Sequence, residues 1–427
     1  MTSFIIAVLL VVGINTIIWT TVGVLRVLVG RLRPGAGPRP ADIPTRDQVA
    51  VIVAAHNEEL VISKTIASAA AMLPIENIFV VSDGSTDATS EIATNAGATV
   101  LDLRPNRGKA KALSALIEEF DLASRFEVVL LLDADTQLAA DYFDTGLPLF
   151  VDSSVVAVAG RATTLPDARP ASLTGRIVLA YRERVYIAMQ YLHKFGQAAS
   201  RINAVTIVPG FASMYRSRIL ADIDIEAAGL TIEDYNMTFE VHAKKLGRIA
   251  FHPRAAIALT QDPDTMHDYT KQVGRWNLGF WQTVRRHGPH LGTFWVALGM
   301  FIAELLASSL LMLVFFPLLA TSIIAAAIDA QDGAAPTAAS AFVGLLPPLG
   351  VALGVLLPDY LLTVIAAVVS RRPAYLLWGA AFPLLRTLDA FLCLRALTRA
   401  FNNSATGTWK SPVRRAVQAV HPDPVRT

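Results

Sequence analysis

Two aspartates separated by one residue are the clearest candidates for metal chemistry in this chain. Asp133 and Asp135 flank Ala134 and directly follow the apolar run 128–132. In an extended segment, residues i and i+2 point to the same side, so both carboxylates can face one ligand. Mg²⁺ and Mn²⁺ prefer oxygen ligands and can keep phosphate oxygens in their coordination shell. The pair therefore predicts a divalent-metal site, and a polar loop with a helix cap is the structural alternative.

Two further polar residues come directly after apolar runs that are typical of strands. His56 follows the run 49–54, and Asp83 follows the run 78–82. In open parallel sheets, ligands bind outside the carboxyl ends of the strands, so we expect these residues beside the aspartate pair. The alternatives are a structural hydrogen bond for His56 and turn or helix-cap chemistry for the segment Asp83-Gly84-Ser85.

A helix start and an acidic doublet add a candidate anion site and a candidate base. Lys109 opens a helical stretch after Asn106-Arg107-Gly108, and a helix N-terminus with basic side chains binds anions. Glu233 and Asp234 precede another helical stretch, 235–245. A carboxylate in a closed cleft can have a raised pKa and accept a proton from a hydroxyl. The alternatives are a solvated helix start and ordinary acidic residues at a helix N-terminus.

Three residues near a long apolar run share one helical face. Gln272, Arg275 and Trp276 have the spacing i, i+3 and i+4. Arg can bind a diphosphate through its planar donors, and Trp offers an apolar platform for a sugar ring. The alternative is an amphipathic helix on a membrane surface, a pattern that continues through residues 277–286. Both interpretations can hold together.

The composition indicates that part of the chain lies in lipid. Of the 427 residues, 53% are hydrophobic and only 17% are charged, whereas soluble domains are about a quarter charged. The formal net charge of +2, with no basic stripe and no nucleic-acid motif, argues against nucleic acid as a partner. The single cysteine, Cys393, allows no intrachain disulfide and no cysteine-based metal site. We expect it to be a buried thiol.

Hydropathy and turn residues divide the chain into six segments. Apolar strand-like runs that alternate with helical stretches predict a parallel, doubly wound α/β domain covered on both faces. The predicted segments are a transmembrane anchor (1–30), a linker (31–47), the α/β domain (48–260), an amphipathic interface helix (261–290), transmembrane and interface helices (291–400) and a cytoplasmic tail (401–427).

Charges next to the apolar segments predict the orientation. Arginines follow the first span rather than precede it, which indicates an uncleaved anchor with the α/β domain in the cytoplasm. We expect further spans at 291–328, broken at Pro317, and at 341–369. The stretch 375–397 carries Arg386, Asp389 and Arg395 and is interpreted as an interfacial helix.

Two carboxylates lie inside predicted spans. A charged residue there usually faces protein or a water-filled path. The hypothesis for Glu304 is that it lines the route by which the product leaves. Asp359 is a weaker candidate for the same role, because Pro358 can simply kink that helix.

Taken in order along the chain, these motifs resemble those of the membrane-embedded processive glycosyltransferases of family 2. This is the group of cellulose, chitin, hyaluronan and poly-N-acetylglucosamine synthases, and the resemblance covers about residues 48–290. The motifs that carry it are His56-Asn57-Glu58, Asp83-Gly84-Ser85, Asp133-Ala134-Asp135, Pro209-Gly210-Phe211-Ala212-Ser213, Glu233-Asp234, Gln272-x-x-Arg275-Trp276 and, as in bacterial members, Gly407-Thr408-Trp409-Lys410.

The resemblance implies a cytoplasmic GT-A (Rossmann-like) α/β domain and a role for each motif. The residues implied in donor binding are His56, Glu58, Asp83, Lys109, Asp133, Gln272 and Arg275. Asp135 and Asp133 would hold Mn²⁺ or Mg²⁺. Asp234, with Glu233 beside it, would be the general base. The acceptor would contact Trp276, Phe211 and Ser213.

The implied function is inverting, processive transfer of sugar from a UDP-sugar to a growing polysaccharide at a bacterial plasma membrane. One alternative is transfer of a single sugar to a lipid acceptor, either polyprenyl phosphate or a sphingolipid-like molecule. Another is a non-catalytic membrane scaffold. The chain departs from the family pattern at Ile232, where Thr is common, at Asn236, where an acidic residue is common, and in its few spans.

Overall fold

The structure, a computed structural model, describes residues 11–32, 43–165, 170, 172–332 and 337–402. Its strands are β1 (Val49–Ala55), β2 (Ile78–Asp83), β3 (Thr99–Leu103), β4 (Val128–Asp133), β5 (Thr136–Leu138), β6 (Val155–Val158), β7 (Arg161–Thr164), β8 (Ala212–Arg216), β9 (Arg248–Ala250) and β10 (Ile257–Thr260). The tail motif 407–410 and residues 1–10 of the predicted anchor lie outside the described residues.

The helices connect these strands and continue beyond them. They are α1 (Ile14–Leu32), α2 (Ile62–Ala70), α3 (Thr89–Asn95), α4 (Lys109–Glu119), α5 (Leu122–Arg125), α6 (Tyr142–Gly146), α7 (Leu173–Ile187), α8 (Phe195–Gln197), α9 (Glu233–Ala243), α10 (Met266–His287), α11 (Thr293–Asp332), α12 (Ala338–Leu345), α13 (Pro348–Ser370), α14 (Ala374–Trp378) and α15 (Phe382–Asn402). A π-helical segment, Ala188–Lys194, joins α7 to α8.

The first half of the central sheet agrees with the predicted parallel α/β arrangement. The seven-stranded sheet has the order β3-β2-β1-β4-β8-β6-β9, and β1 pairs in parallel with both β2 and β4. Every residue of β1 is buried. Val53 packs in the same cluster as Ile66 of α2, and Ile52 packs in the same cluster as Leu113 of α4. The sheet is therefore covered on both faces, as the continuous apolar runs predicted.

The second half of the sheet corrects the prediction of an all-parallel domain. Strand β8 runs antiparallel to β4, with Leu132 opposite Ala212, and it is also antiparallel to β6. The backbone N–H of Asp133 donates to the carbonyl of Phe211 at 2.9 Å. Because β8 starts where β4 ends, this reversal brings the loop before β8 to the functional edge of the sheet. A separate three-stranded sheet has the order β5-β10-β7.

Three described helices are long and apolar enough to cross a membrane: Thr293–Gln331, Ala338–Ser370 and Ala374–Asn402. The expected break at Pro317 is wrong, because α11 continues through it. A proline inside a helix is tolerated at membrane depth when neighbouring groups satisfy the freed carbonyl. At about 1.5 Å per residue, α11 is about 60 Å long, which exceeds the roughly 30 Å of hydrocarbon. Its first turn instead packs on the α/β domain, where Phe294 contacts Phe239.

The last helical segment differs from the interfacial helix predicted for 375–397, because two of its three charges have partners inside the protein. Arg386 Nη1 lies 2.9 Å from Asp359 Oδ1. Asp389 accepts hydrogen bonds from the hydroxyls of Tyr181, at 2.8 Å, and Tyr269, at 2.5 Å. Arg386 and Asp389 therefore hold the segment against its neighbours, whereas Arg395 is exposed. As predicted, Cys393 is buried.

Glu304, which is predicted to line an exit route, contacts the start of α1. Its Oε2 accepts hydrogen bonds from the backbone N–H of Asn15, at 2.8 Å, and from the Asn15 side chain, at 3.0 Å. Farther along α1, Thr16 bonds His193 at 2.8 Å, and Arg26 donates to the carbonyl of Phe195 at 3.0 Å. Glu304 thus helps to dock α1 onto the rest of the protein.

Candidate active site

The polar residues predicted to follow strand ends do converge. In the parallel register, Ala55 lies opposite Ser82 and Ala54 lies opposite Asp133, so the ends of β1, β2 and β4 meet at one edge. His56 Nδ1 donates to the carbonyl of Asp83 at 2.7 Å. This hydrogen bond joins the predicted donor-site residues at the ends of β1 and β2.

Asp83 positions the start of α4. Its two carboxylate oxygens accept the backbone N–H groups of Arg107, at 2.7 Å, and Gly108, at 2.8 Å. Gly108 has a φ of +88°, a conformation that glycine adopts readily. This turn directs Lys109, the first residue of α4, toward the end of β4.

Lys109 joins the two acidic motifs. Its Nζ lies 2.6 Å from Asp133 Oδ1 and 2.8 Å from Glu233 Oε1. Burial alone would lower the pKa of Lys109, but these two carboxylates raise it above its ordinary value. The lysine therefore remains a cation and holds the aspartate pair beside the acidic doublet.

The environment pushes the pKa values of the two doublet carboxyls apart. Burial, together with the charge of Glu233, raises the pKa of Asp234 to about 6. Burial also acts to raise the pKa of Glu233, but Lys109 and Arg275 hold it below its usual range. Asp234 Oδ1 accepts the N–H of Tyr235 at 2.7 Å, and its Oδ2 accepts that of Gly210 at 3.2 Å. Glu233 is thus a fixed ion, whereas Asp234 can exchange a proton near neutral pH.

Helix α10 fixes the position of the doublet. The backbone N–H of Thr231 donates to Gln282 Oε1 at 2.9 Å. Ile232 packs directly on Gly279, where an added Cβ would lie 2.7 Å from Ile232 Cγ1. This apolar contact gives a physical reason for isoleucine where the family pattern often has threonine. The helix that carries the Gln-x-x-Arg-Trp motif therefore also holds the candidate base.

The three motif residues on α10 differ in exposure and in contacts. Arg275 is exposed, and its charge lowers the pKa of Glu233. Trp276 is half-buried, with the guanidinium of Arg182 4.3 Å from its ring centroid. Gln272 is half-buried, and its Oε1 has no hydrogen-bond partner among the described residues.

The loop before β8 passes between the acidic motifs. A Cβ added at Gly210 would lie 3.1 Å from Glu233 Oε1 and 3.3 Å from Lys109 Nζ, so the backbone approaches the cluster closely. Phe211 is half-buried beside it. The loop predicted to contact the acceptor therefore lies beside the acidic cluster. The contact of Phe211 with an acceptor stays a prediction.

Three predicted contact residues do not line open space. Ser213 is fully buried, and its Oγ donates to the carbonyl of Pro209 at 2.6 Å while accepting the N–H of Gly160 at 3.0 Å. Ser213 therefore supports the loop, and its contact with an acceptor stays a prediction. Glu58 and Asp83 are buried as well, so their direct contacts with a nucleotide stay predictions.

The aspartate pair offers a hard-oxygen donor set. Burial raises the pKa of Asp133 and the charge of Asp135 adds to this, although Lys109 opposes them. The charges of the two carboxylates therefore repel each other, and both side chains are half-buried. Two carboxylates fit a Mg²⁺ or Mn²⁺ ion whose other ligands come from a phosphate-bearing donor. Among the described residues, no three His, Cys, Asp or Glu side chains group closely enough to hold a metal.

Two residues near the candidate base were not predicted from the sequence. Lys194 ends the π-helical segment, and burial lowers its pKa to about 8, although the charge of Asp234 opposes the shift. Tyr215 of β8 has a buried hydroxyl with no hydrogen-bond partner among the described residues, and burial and the charges of the doublet raise its pKa. Neither residue belongs to a motif, so no sequence signal marks them.

Comparison with known proteins agrees with this geometry. A family model described as glycosyltransferase like family 2 matches residues 45–279. The chain belongs to glycosyltransferase family 2. The match spans the central sheet, the doublet and the start of α10, so the predicted GT-A α/β fold, the glycosyltransferase class and the resemblance are confirmed.

Curated relatives match the same part of the chain. A poly-β-1,6-N-acetyl-D-glucosamine synthase from Staphylococcus epidermidis is 26% identical over 256 residues, which cover 56% of this chain and 57% of that protein. The enzyme of the same name from Staphylococcus aureus strain COL is 25% identical over 246 residues, 54% of each chain. The chain thus spans about half the length of the curated relatives it matches.

Solved structures show weaker likeness. A mannosyltransferase from Pyrobaculum calidifontis, in complex with GDP-Man and Mn²⁺, aligns with a TM-score of 0.49 and 18% identity over 92% of this chain and 99% of that one. Glucosyl-3-phosphoglycerate synthase from Mycobacterium tuberculosis has a TM-score of 0.36 and 16% identity over 56% and 80%. Both scores lie below 0.5, so neither likeness carries a conclusion about function.

Proposed function

We propose that this family 2 glycosyltransferase is an inverting, processive enzyme that transfers sugar from a UDP-sugar to a growing polysaccharide at the plasma membrane. The observation that carries the proposal is the split doublet: Lys109 holds Glu233 as an ion, while Asp234 beside it has a pKa raised to about 6. A base with a pKa near the working pH is suited to deprotonate an acceptor hydroxyl.

The donor lies at the carboxyl edge of the sheet. His56 is at the nucleobase end, and the cations Lys109 and Arg275 face the diphosphate. Asp133 and Asp135 would hold Mn²⁺ or Mg²⁺, which neutralises negative charge on the departing diphosphate. Because Lys109 already bonds one oxygen of Asp133, this lysine would share that carboxylate with the ion.

The acceptor approaches from the side of α10. Trp276 presents its ring to the terminal sugar, and Asp234 accepts the proton of the attacking hydroxyl. The hydroxyl oxygen forms the new bond to the anomeric carbon as the bond to the diphosphate breaks. One such in-line displacement converts an α-linked donor into a β-linked product.

The polymeric product and the location rest on separate support. The curated relatives are named as polysaccharide synthases, which favours a polysaccharide over a single sugar on a lipid. Three helices long and apolar enough to cross a membrane follow the catalytic domain. These helices favour a multi-pass protein, and the arginines after the first apolar run favour a catalytic domain in the cytoplasm. The curated relatives are from bacteria, which favours a bacterial plasma membrane.

The test is a product assay with the full chain in nanodiscs. A panel of UDP-sugars is supplied with Mn²⁺ or Mg²⁺, UDP release is recorded, and the product is sized. Asp234→Asn is compared with Asp222→Asn, an exposed carboxylate that serves as the matched control. We expect a ladder or large polymer that only the first variant abolishes.

Two other results contradict the proposal. A single sugar attached to a lipid would show that the enzyme is a lipid-acceptor transferase and not a polymerase. No release of UDP from any donor would overturn the assignment of the donor site.

A further inference from the structure

One face of the proposed acceptor platform is already occupied by a buried cation. The guanidinium of Arg182 lies 4.3 Å from the ring centroid of Trp276. Arg182, on α7, is only 3% exposed, whereas Trp276 is half-buried. Because the arginine covers one side of the indole, a sugar can pack only on the other side.

The arginine is itself held in place by a buried network. Its Nη2 donates to the hydroxyl of Tyr186 at 2.6 Å and lies 3.5 Å from Asp262 Oδ1. Asp262 also accepts hydrogen bonds from Tyr186, at 2.8 Å, and Thr164, at 2.6 Å. A buried charge needs a counter-charge and satisfied partners, and this network supplies both without using the face of the guanidinium that meets the indole.

The chemistry at this position is specific to arginine. A planar guanidinium can stack on an aromatic face while its in-plane N–H groups bond neighbours, which the ammonium of lysine cannot do. An arginine can therefore contact Trp276 and bond Tyr186 at the same time.

We propose that Arg182 is a positioning residue of the acceptor site. It fixes the indole of Trp276 from behind, so that the opposite ring face is presented to the terminal neutral sugar of the acceptor. The inference rests on the proposed function and goes beyond it, because it assigns acceptor affinity to a residue outside every motif of the family pattern. Arg182 acts through Trp276 and does not touch the reacting atoms.

A double-mutant cycle tests this dependence. Arg182→Gln, Trp276→Leu and the double variant are assayed in nanodiscs with the donor that the wild type uses and a short oligosaccharide of the same sugar. We expect Arg182→Gln to raise the acceptor KM about tenfold, since a desolvated cation–π contact is lost. Release of UDP without acceptor should stay within about twofold, and on the Trp276→Leu background the further change should also be below about twofold.

Two conservative variants keep the test meaningful if Arg182→Gln folds poorly. Arg182→Lys keeps the charge but loses the planar guanidinium that lies over the indole. It should therefore raise the acceptor KM nearly as much as Arg182→Gln does. Tyr186→Phe removes only one bond to the guanidinium and should produce a smaller rise that also vanishes with Trp276→Leu. Arg176→Gln, an exposed arginine on the same helix, is the matched control and should leave the KM unchanged.

The failing outcomes are distinct. If Arg182→Gln raises the acceptor KM equally with and without Trp276, or if Arg182→Lys behaves as wild type, the inference is overturned. If Trp276→Leu itself leaves the acceptor KM unchanged, the platform assigned under the proposed function fails first.

Discussion

Two groups of buried or half-buried charges in this protein pair carboxylates with basic side chains and serve different ends. The catalytic cluster consists of Lys109, Asp133, Glu233 and Asp234. The membrane-side cluster consists of Arg184, Asp359 and Arg386. In the catalytic cluster one lysine bonds two carboxylates and a third lies beside them. In the membrane-side cluster one carboxylate lies between two arginines, 2.9 Å from each.

The balance of charge accounts for the difference. Three carboxylates face one lysine in the catalytic cluster. Asp234 therefore gains affinity for a proton, and Asp133 can bind a metal in addition to, or in place of, Lys109. Asp359 is 1% exposed, and each of its oxygens is bonded to an arginine, so nothing is left over for a ligand. An incompletely neutralised cluster suits chemistry, and a fully paired one suits attachment of α7 to the membrane helices.

The largest expected effect is loss of the proton acceptor. Asp234→Asn keeps the shape of the side chain but cannot accept a proton, so kcat should fall about 10²–10⁴-fold. UDP binding, measured by calorimetry, should change little, because the donor site lies on Lys109 and Arg275. A variant that keeps a tenth or more of wild-type kcat would show that another group is the base.

The corresponding change in the membrane-side cluster should affect stability instead. Asp359→Asn leaves the buried Arg184 and the half-buried Arg386 without their counter-charge, and breaking a buried pair costs about 3–5 kcal/mol. Thermal unfolding in detergent should therefore start at a clearly lower temperature, while kcat per folded molecule stays near wild type. Asp329→Asn, in α11, is the control. A normal unfolding temperature with reduced kcat would reverse the distinction between the clusters.

The contact between Gly279 of α10 and Ile232, which precedes the acidic doublet, can be strained directly. In Gly279→Ala the new Cβ would lie 2.7 Å from Ile232 Cγ1, and overpacking of this kind costs about 1–3 kcal/mol. We expect the doublet to shift and kcat to fall, with partial recovery when Ile232→Ala is added. Gly299→Ala, where nothing lies within 4 Å, controls for the added methyl group. Equal kinetics in both glycine variants would exclude this positioning role.

The pH profile reports on the catalytic cluster alone. With the pKa of Asp234 raised to about 6, the deprotonated, active form is present above pH 6 and is lost as the pH falls through it. The value of kcat/KM should drop about tenfold per unit below that pH. The residual rate of Asp234→Asn should lack this limb. A limb with its midpoint near pH 4 would mean an unperturbed carboxyl.

The sequence predicted the catalytic cluster better than the membrane-side cluster for a physical reason. His56, Asp83 and Asp133 follow strands whose neighbours can be inferred, so their convergence follows from the topology of a parallel sheet. The partners of Arg184 and Asp359 depend on how α7 packs against helices far along the chain, and no local pattern encodes that. For the same reason the sequence did not predict the contact of Arg182 with Trp276 or the reversal at β8.

Glu304 provides the smallest and most discriminating test, because in sequence it looks like Asp359 while its contacts are fewer. A single oxygen accepts two hydrogen bonds from Asn15, and because Glu304 is only half-buried, water can replace part of what these bonds contribute. Glu304→Leu should lower the unfolding temperature slightly. Asn15→Ala, which keeps the backbone N–H bond, should do less, and the double variant should be no worse than Glu304→Leu. Product length should not change in any of them. If Glu304→Leu instead shortens the product with unaltered stability, this carboxylate lies on the path of the polymer, and the membrane helices carry a functional site as well as an attachment.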